Sequence, residues 1–334
     1  MKQYRIGILG ATGAVGREMM KVLEERKFPI SKLRLLAGAG SAGKRISFMG
    51  KEHTVIQASE DAFEGLDIVL GAAENDIAMR FAPAIVKAGA VFVDNSSAFR
   101  LYEDVPLVVS EINPEDVRKH RGIIANPNCT TIISLVALNA LNKESPIESI
   151  IASSYQAVSG AGAQGISELS EETAAIAAGE AVKPSVFPYQ IAYNVIPQIG
   201  SEAFVGYTSE EMKLQNEGRK ILHSPELKVS CTCVRVPVFR SHSVSLLIHT
   251  REKINAARAR ELIAAAAGCR LTDDIANRVY PMPLDTSDQD LVYVGRIRDD
   301  LTDERGLNLW CCGDQLRKGA ATNAVQIAEI VAGL

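Results

Sequence analysis

A glycine-rich turn near the start of the chain constrains the fold more than any other sequence feature. Residues 5–9 are an apolar run that predicts a buried strand, and Gly10-Ala11-Thr12-Gly13-Ala14-Val15-Gly16 follows it directly. Residues 17–23 then have the composition of a helix. Glycine permits a tight turn and a close approach of the backbone to a pyrophosphate, which the N-terminus of the helix then binds. The pattern therefore predicts a dinucleotide-binding unit.

Later apolar runs extend this unit into a sheet. Residues 33–37, 67–71, 90–94 and 122–125 have the character of further buried strands, and a helix is expected from about 76 to 88. Strands that alternate with helices in this way form parallel sheets covered on both faces. We therefore expect an α/β fold whose N-terminal part is a Rossmann-type doubly wound sheet.

The loop after the second strand bears on the choice of nucleotide. An NAD-binding unit usually has an acidic residue there, on the ribose 2′-hydroxyl. No Asp or Glu occurs between Leu33 and Met49, whereas Ser41, Lys44 and Arg45 supply hydroxyl and cationic groups. Such groups suit a 2′-phosphate, so NADP(H) is predicted over NAD(H). Lys44 and Arg45 have an alternative interpretation as ordinary solvent-exposed loop residues.

Cys129 lies where a strand gives way to a helix. Pro127 holds Asn126 extended after the strand at 122–125, and residues 132–138 continue as a buried helix. Backbone N–H groups at a helix start favour a thiolate and any oxyanion formed beside it. Cys129 is therefore a candidate nucleophile. The alternative is a half-buried structural cysteine, since cysteine is often buried.

The second half of the chain offers partners for this cysteine. Gln156 ends a strand predicted at 148–156, where its amide can orient a carbonyl or a thiol. His242 lies between strands expected at 229–236 and 243–250, and a histidine that titrates near neutrality is the natural general base for Cys129. The span 184–206, rich in Pro, Tyr and Gly, predicts a long connection that covers a site or a subunit contact.

Other charged residues have ordinary interpretations when considered alone. Ser209 is a plausible N-cap of a helix on which Glu210 and Lys213 share one face, as in a solvated ion pair. Arg100 follows the strand at 90–94, where it could meet an anion, although a lone arginine more often forms a surface ion pair.

Composition bounds the class of protein. A chain of 334 residues with 47% hydrophobic content can form two domains. With 36 basic and 40 acidic residues, the net charge of -4 gives no basic field for nucleic acid or an anionic membrane.

No run reaches the roughly 18 apolar residues of a membrane span, and no leader is evident, so a cytoplasmic location is expected. The paired cysteines at 231/233 and 311/312 lack zinc spacing, so no metal is expected.

Several motifs, in order along the chain, together resemble one family, the aspartate-β-semialdehyde dehydrogenases. They are Gly10-Ala11-Thr12-Gly13-Ala14-Val15-Gly16, Asn95-Ser96-Ser97-Ala98-Phe99-Arg100, Asn126-Pro127-Asn128-Cys129, Ser154-Tyr155-Gln156-Ala157-Val158-Ser159-Gly160, Glu210-Glu211-Met212-Lys213, Arg235-Val236-Pro237-Val238 with His242, and Asp314-Gln315-Leu316-Arg317. The resemblance implies an NADP-binding domain at 1–127 completed by a C-terminal helix at 315–334, and an α+β catalytic and dimerisation domain at 128–314. It also implies a homodimer or a dimer of dimers.

The resemblance also implies roles for individual residues. Catalysis would fall to Cys129 as nucleophile, His242 as acid/base and Gln156. The residues implied to bind substrate are Arg100, Asn128, Glu210, Lys213 and Arg235; Arg235 would clamp the α-carboxylate, while Arg100 and Lys213 would hold phosphate. The residues implied to bind NADP(H) are Gly10, Thr12, Gly13, Ala14, Val15, Gly40, Ser41, Ser159, Gly160 and Gln315.

The implied activity is the NADPH-dependent reduction of aspartyl phosphate to aspartate semialdehyde and phosphate through a cysteine thioester. Two positions depart from the family pattern. Gly40 replaces the usual arginine, which leaves dual use of NAD and NADP open, and Ser241 replaces the usual glycine before the histidine. The alternatives are an N-acetyl-γ-glutamyl-phosphate reductase, in which glycine rather than Asn128 would precede the cysteine, or a catalytically silent nucleotide-binding relative.

Overall fold

The structure, a computed structural model, describes residues 2–334 and divides the chain into two units. The first unit runs to Asn128 and resumes at Ala320–Leu334, and the second is Cys129–Gly319. The helices are α1 Ala14–Glu25, α2 Asn75–Lys87, α3 Cys129–Glu144, α4 Gly162–Ala178, α5 Glu211–Ile221, α6 Ala256–Ala264, α7 Pro283–Thr286 and α8 Thr322–Ala332.

The strands follow in the same chain order. They are β1 Tyr4–Leu9, β2 Ile30–Ala37, β3 Arg45–Phe48, β4 Lys51–Thr54, β5 Ile56–Gln57, β6 Ile68–Gly71, β7 Val91–Asp94, β8 Ile123–Ala125, β9 Ile147–Gln156, β10 Glu202–Phe204, β11 Tyr207–Thr208, β12 Lys228–Arg235, β13 His242–Thr250, β14 Cys269–Leu271, β15 Val292–Asp299 and β16 Gly306–Gly313.

A parallel sheet with the strand order β5-β2-β1-β6-β7-β8 forms the first unit. Apart from Arg5 in β1, its central strands β1 and β6 are buried and mainly apolar, as expected when helices cover both faces. The strand order reverses between β2 and β6, on either side of β1, which is the arrangement of a doubly wound sheet. The predicted Rossmann-type fold is confirmed.

The last helix belongs to this first unit. Ala324, Val325 and Ala328 of α8 are buried in the core that β1 and α1 also form. The hydroxyl of Tyr4 donates to the carbonyl oxygen of Ala332 over 2.6 Å, so the two ends of the described chain are joined. The return of a C-terminal helix to the first unit, expected from the family resemblance, is therefore confirmed.

A mixed sheet with the order β12-β9-β13-β16-β15-β14 forms the second unit. Neighbours are parallel at each edge, β12 with β9 and β14 with β15, and antiparallel between. Helix α3 contacts β9, β13, β15 and β16, and its residues 130–138 are all buried. A helix that is apolar on all sides is expected to lie inside a domain.

Several local features were absent from the sequence interpretation or differ from it. The hairpin β3–β4 and the strands β14 and β15 were not predicted, because their residues lack a clear apolar alternation. The N-cap expected at Ser209 is wrong. Instead, Thr208 and Glu211 cap α5 reciprocally, since each side chain accepts a hydrogen bond from the other's backbone N–H.

Over residues 2–334, no helix has both the length and the apolar character of a membrane span.

Candidate active site

The glycine turn after β1 is too tight for larger residues at two positions. Gly10 has a φ of +87°, and a Cβ atom there would lie 2.4 Å from the carbonyl oxygen of Ala72. A Cβ atom on Gly16 would lie 2.4 Å from the carbonyl oxygen of Gly10. Helix α1 begins at Ala14, immediately after Gly13, with no acidic residue in its first turn. The N–H groups at this helix start can therefore bind a pyrophosphate.

A cavity of about 430 Å³ lies beside this turn. Thr12 and Gly13 line it, together with the last residues of three parallel strands, Leu9, Ala37 and Gln57. A doubly wound sheet binds ligands at this edge, where its strand order reverses. The position, size and lining fit part of a dinucleotide. The sequence interpretation missed Gln57, because β5 has only 2 residues and shows no periodicity.

The loop after β2 has no negative charge to repel a 2′-phosphate. The hydroxyl of Thr12 donates to the hydroxyl oxygen of Ser41 over 3.4 Å, which joins this loop to the glycine turn. A Cβ atom on Gly40 would have no heavy atom within 4 Å, so the loop is open at that position. Lys44 and Arg45 are exposed to solvent. The local chemistry accommodates NADP(H).

Cys129 is the first residue of α3, and its side chain is half-buried. The strand β8 ends four residues earlier at Ala125, as the sequence predicts. A π-helical turn at Arg317–Ala321 brings Gly319 so close that a Cβ atom on it would lie 2.9 Å from the Cβ of Cys129. The cysteine is therefore held between a helix start and a glycine. A helix start stabilises a thiolate and a neighbouring oxyanion.

The second sheet brings three of the predicted side chains to one edge. Gln156 ends β9, and Arg235 ends the parallel strand β12 directly opposite it. His242 begins β13, which runs antiparallel to β9 with Ser243 opposite Tyr155. The carboxyl ends of two parallel strands thus meet the amino end of an antiparallel neighbour, and all three side chains gather there.

Ala157, the residue after β9, holds two of these side chains through its backbone. Its N–H donates to Nδ1 of His242 over 3.1 Å, and its carbonyl oxygen accepts from Nη1 of Arg235 over 2.6 Å. Gly160 leaves space in front of both. A Cβ atom on it would lie 2.7 Å from Nη1 of Arg235 and 3.5 Å from Nε2 of His242.

His242 is fully buried, at 0% exposure. Because Nδ1 accepts a hydrogen bond, the proton of the neutral ring lies on Nε2. Nε2 has no hydrogen-bond partner among residues 2–334. Burial, and then the positive charge of Arg235, lowers the pKa of His242 to about 3. The ring is thus a neutral donor near pH 7.

Arg235 is a buried cation, at 7% exposure, and forms no ion pair with a carboxylate in the described chain. Burial lowers the pKa of Arg235, while the charges of Cys129 and Glu210 oppose that shift. The ring of Phe187 lies 5.7 Å from the guanidinium carbon. A buried guanidinium that is not bonded to a carboxylate retains donors for one, so this position is suited to bind an anion.

Glu210 connects α5 to the sheet edge. Nζ of Lys213 donates to its Oε2 over 2.7 Å, which is the ion pair expected from their spacing. Nε2 of Gln156 donates to its Oε1 over 3.2 Å. The side chains of Lys213 and Glu210 are 29% and 10% exposed, so this pair is more shielded than the solvated pair that the sequence predicted.

Gln315 connects two loops of the second unit. Its amide nitrogen donates to the hydroxyl of Ser159, and its amide oxygen accepts from the backbone N–H of Ser241 over 2.8 Å. Ser241 has a φ of +74°, a conformation that glycine adopts more readily, and this explains the glycine usual at that position. Ser159 and Gln315, both predicted at the cofactor site, thus lie in contact.

Arg100, in the first unit, is not on the surface. It is buried, and its guanidinium donates to the carbonyl oxygen of Asn126 over 3.0 Å and to that of Asn95 over 2.9 Å. The interpretation as a surface ion pair is wrong. Asn128 is buried as well. The two carbonyl groups that bind Arg100 carry no side-chain information, so the sequence does not signal these contacts.

All six cysteines lie within the described residues and are unbridged thiols. Sγ of Cys231 lies 3.7 Å from Sγ of Cys233, and both are buried in β12. The hydrogen bond from Cys231, with burial, raises the pKa of Cys233. These thiols fit the interpretation of cysteine as a small apolar strand residue.

Comparisons with known proteins match the whole chain. Models of the semialdehyde dehydrogenase NAD binding domain and of the semialdehyde dehydrogenase dimerisation domain match residues 5–120 and 138–318. Aspartate-semialdehyde dehydrogenase of Aquifex aeolicus is 49% identical over 98% of this chain and 98% of its own. That of Bacillus subtilis is 46% identical over 97% and 96%. The crystal structure of aspartate semialdehyde dehydrogenase II of Vibrio cholerae complexed with ASA has a TM-score of 0.97 at 42% identity, over 100% of this chain and 99% of that one.

Proposed function

The chain belongs to the aspartate-semialdehyde dehydrogenase family, and on this premise we propose which of its residues perform each step of the reaction. The reaction is the reductive dephosphorylation of L-4-aspartyl phosphate to L-aspartate 4-semialdehyde and phosphate, with NADPH as reductant, in amino-acid biosynthesis. The relatives support this activity and not the N-acetyl-γ-glutamyl-phosphate reductase that the sequence left open.

The observation that carries the proposal is the position of Arg235. Arg235 is buried, its charge interacts with that of Cys129, and it forms no ion pair with a carboxylate of the described chain. Its guanidinium donates to the carbonyl oxygen of Ala157, and the backbone N–H of the same Ala157 donates to His242. We assign the α-carboxylate of the substrate to Arg235, whose guanidinium has a bidentate geometry that matches a carboxylate. We assign Glu210 to the α-ammonium group of the substrate and Gln156 to the orientation of its reacting end.

Covalent chemistry takes place at Cys129. Its thiolate attacks the acyl carbon of aspartyl phosphate, the bond from carbon to the phosphate oxygen breaks, and phosphate leaves with the bonding electrons. A thioester on Cys129 remains. Lys213 is assigned to the departing phosphate, because an ammonium group compensates the charge that develops there. Arg100 and Asn128 retain their predicted roles in substrate binding.

His242 stabilises the oxyanion in the second half of the reaction. When bound, NADPH would supply the hydride that reduces the thioester carbonyl. The resulting thiohemiacetal oxygen is negatively charged, and the Nε2–H of His242 is a donor without a protein partner in the described residues. As the carbon–sulfur bond breaks, the aldehyde forms and the thiolate of Cys129 returns. The predicted cofactor residues of both units retain their assignment: Gly10, Thr12, Gly13, Ala14, Val15, Gly40, Ser41, Ser159, Gly160 and Gln315.

A phosphate-dependent assay with aspartate semialdehyde, run in parallel with NADP and NAD, tests this proposal. We expect NADPH to form only when phosphate is present. With NAD in place of NADP, we expect NADH to form more slowly. N-acetylglutamate semialdehyde serves as the control and should give no reduction. Faster reduction of NAD would contradict the cofactor preference. Reduction of NADP with the control aldehyde alone would contradict the assignment of aspartate semialdehyde as the substrate.

Self-association agrees with the matched dimerisation domain, and we propose a homodimer formed through one face of the second sheet. Large side chains are exposed on that face, namely Ile151 and Tyr155 on β9, with Leu247 and Trp310 half-buried on the neighbouring strands. The rings of Tyr155 and Trp310 are in contact at 5.4 Å. A contiguous apolar face that is exposed to solvent usually marks a site where a partner binds.

Light scattering on a sizing column tests this interface. The wild type should have the mass of a dimer, and Ile151→Arg should have that of a monomer. A tetramer in the wild type would indicate a second interface. An unchanged dimer in the Ile151→Arg variant would contradict the assignment of this face. The cytoplasmic location expected from the sequence stays a prediction.

A further inference from the structure

Two buried carboxylates on α4 have no cationic partner in the described chain. Glu168 and Glu172 lie one turn apart, so they share a face, and each is 3% exposed. Both carboxylates accept hydrogen bonds from the long connection that follows α4. A buried carboxylate that binds only backbone and hydroxyl donors fixes the position of the segment that carries those donors.

Glu168 holds three consecutive residues. Its carboxylate accepts from the backbone N–H of Ser185 over 2.9 Å, from the hydroxyl of Ser185 over 2.7 Å and from the backbone N–H of Phe187 over 3.1 Å. The backbone N–H of Val186 donates to it as well. Burial by itself would raise the pKa of Glu168, but these donors outweigh it and lower the pKa, so the carboxylate is charged near pH 7.

Phe187, the last of these three residues along the chain, also contacts Arg235. The ring of Phe187 lies 5.7 Å from the guanidinium carbon, within the range of a cation–π contact. The ring also lies close to α4, since a Cβ atom on Gly165 would lie 3.2 Å from its Cζ. The ring is therefore near both the helix and the guanidinium.

We infer that Glu168 is a positioning residue for the substrate: it holds Phe187 against Arg235 and so fixes the guanidinium before the α-carboxylate binds. This inference rests on the role proposed for Arg235. The side chain of Arg235 has one hydrogen bond, to Ala157, and one ring contact. Loss of the ring contact leaves the long side chain free to rotate about its remaining bonds, which weakens the binding of a carboxylate.

Glu168→Gln and Phe187→Leu are the informative variants, and the chain supplies a matched control. Glu172 accepts from the backbone N–H groups of Ile191 and Ala192, each over 2.8 Å, so it holds the same connection at residues that do not touch Arg235. Glu172→Gln removes the same charge from the same helix. Phe187→Tyr retains the aromatic ring.

Steady-state kinetics should separate these variants. In Glu168→Gln and Phe187→Leu, the KM for aspartate semialdehyde should rise about tenfold, with kcat within about twofold of the wild type. The KM values for phosphate and NADP should not change. Glu172→Gln and Phe187→Tyr should behave as the wild type. Equal KM values in Glu168→Gln and Glu172→Gln, or a fall in kcat instead of a rise in KM, would overturn the inference.

Crystal structures of the two glutamate variants provide a test that does not depend on the proposed reaction. Phe187 should leave the guanidinium of Arg235 in Glu168→Gln and keep its position in Glu172→Gln. An unmoved ring in Glu168→Gln would reject the inference even if the enzyme is active. A wild type that does not act on aspartate semialdehyde would reject the proposed function instead, while the position of the ring still decides the role of Glu168.

Discussion

The backbone N–H of Ala157 donates to Nδ1 of His242, and this bond determines which nitrogen of the ring carries the proton. A ring fixed in this tautomer presents Nε2–H to the site. It can stabilise an oxyanion, but it has no lone pair at Nε2 with which to take a proton from Cys129. The thiolate is stabilised instead by the start of α3 and by the charge of Arg235.

The low pKa of His242 predicts a loss of stability in acid. The unfolded chain binds a proton on this ring below about pH 6.5, whereas the folded chain does so only near pH 3. The free energy of unfolding therefore falls as the pH drops from 6.5 towards 3, by up to about 1.4 kcal/mol per pH unit from this group. Urea titrations of His242→Asn between pH 7 and pH 4 should show a smaller loss than the wild type. His53→Asn, outside the site, should match the wild type, and equal losses in all three would refute the assignment.

Replacement of the nucleophile should separate chemistry from binding. In Cys129→Ser, turnover should fall at least about a thousandfold, because a serine hydroxyl has no comparable anionic form near pH 7. The binding of NADP(H), followed by fluorescence titration, should not change. Wild-type turnover in this variant would exclude a covalent thioester.

Arg235→Lys should affect the amino-acid substrate most. Lysine keeps the charge but loses the planar fork that binds a carboxylate through two hydrogen bonds. We expect the KM for aspartate semialdehyde to rise about tenfold to a hundredfold, with little change in the KM for NADP. Initial rates over a range of aldehyde concentrations measure this directly. An unchanged KM for the aldehyde would remove Arg235 from the carboxylate site.

Gly319→Ala should displace Cys129. The added methyl group would lie 2.9 Å from the Cβ of the cysteine, so one of the two residues must move. A shift of about 1 Å in a reacting group costs up to about a hundredfold in rate, and kcat should fall by that order. Alkylation of Cys129 by iodoacetamide, followed by mass spectrometry, should slow as well. A normal kcat with a normal alkylation rate would show that the turn adapts without cost.

The positions of the candidate catalytic residues could be predicted because these residues lie at the ends of regular elements. Cys129 follows a short apolar strand, and Gln156 and Arg235 each end a strand whose apolar run is visible in the sequence. The parallel pairing of β9 and β12 then places the last two side by side. Strand ends are the feature of a site that periodicity reveals best.

The contacts that set the chemistry could not be predicted in the same way. The tautomer of His242 depends on the backbone of Ala157, and any residue except proline supplies the same N–H group. Phe187 reaches Arg235 from a connection without periodicity. Two backbone carbonyl oxygens accept hydrogen bonds from the buried guanidinium of Arg100. Backbone groups and irregular segments carry little sequence signal, so these features need the folded chain.

The return of α8 to the first unit has a consequence for synthesis. Tyr4 and Ala332, joined by a hydrogen bond, are 328 positions apart. At roughly 5 to 20 residues per second, a ribosome would need about 15 to 65 s to produce the chain between them. The second unit emerges within that interval and can fold while the nucleotide-binding half still lacks a helix. The nascent chain thus exposes the apolar surface of α1 and β7 that α8 later covers, which makes that surface a target for chaperones.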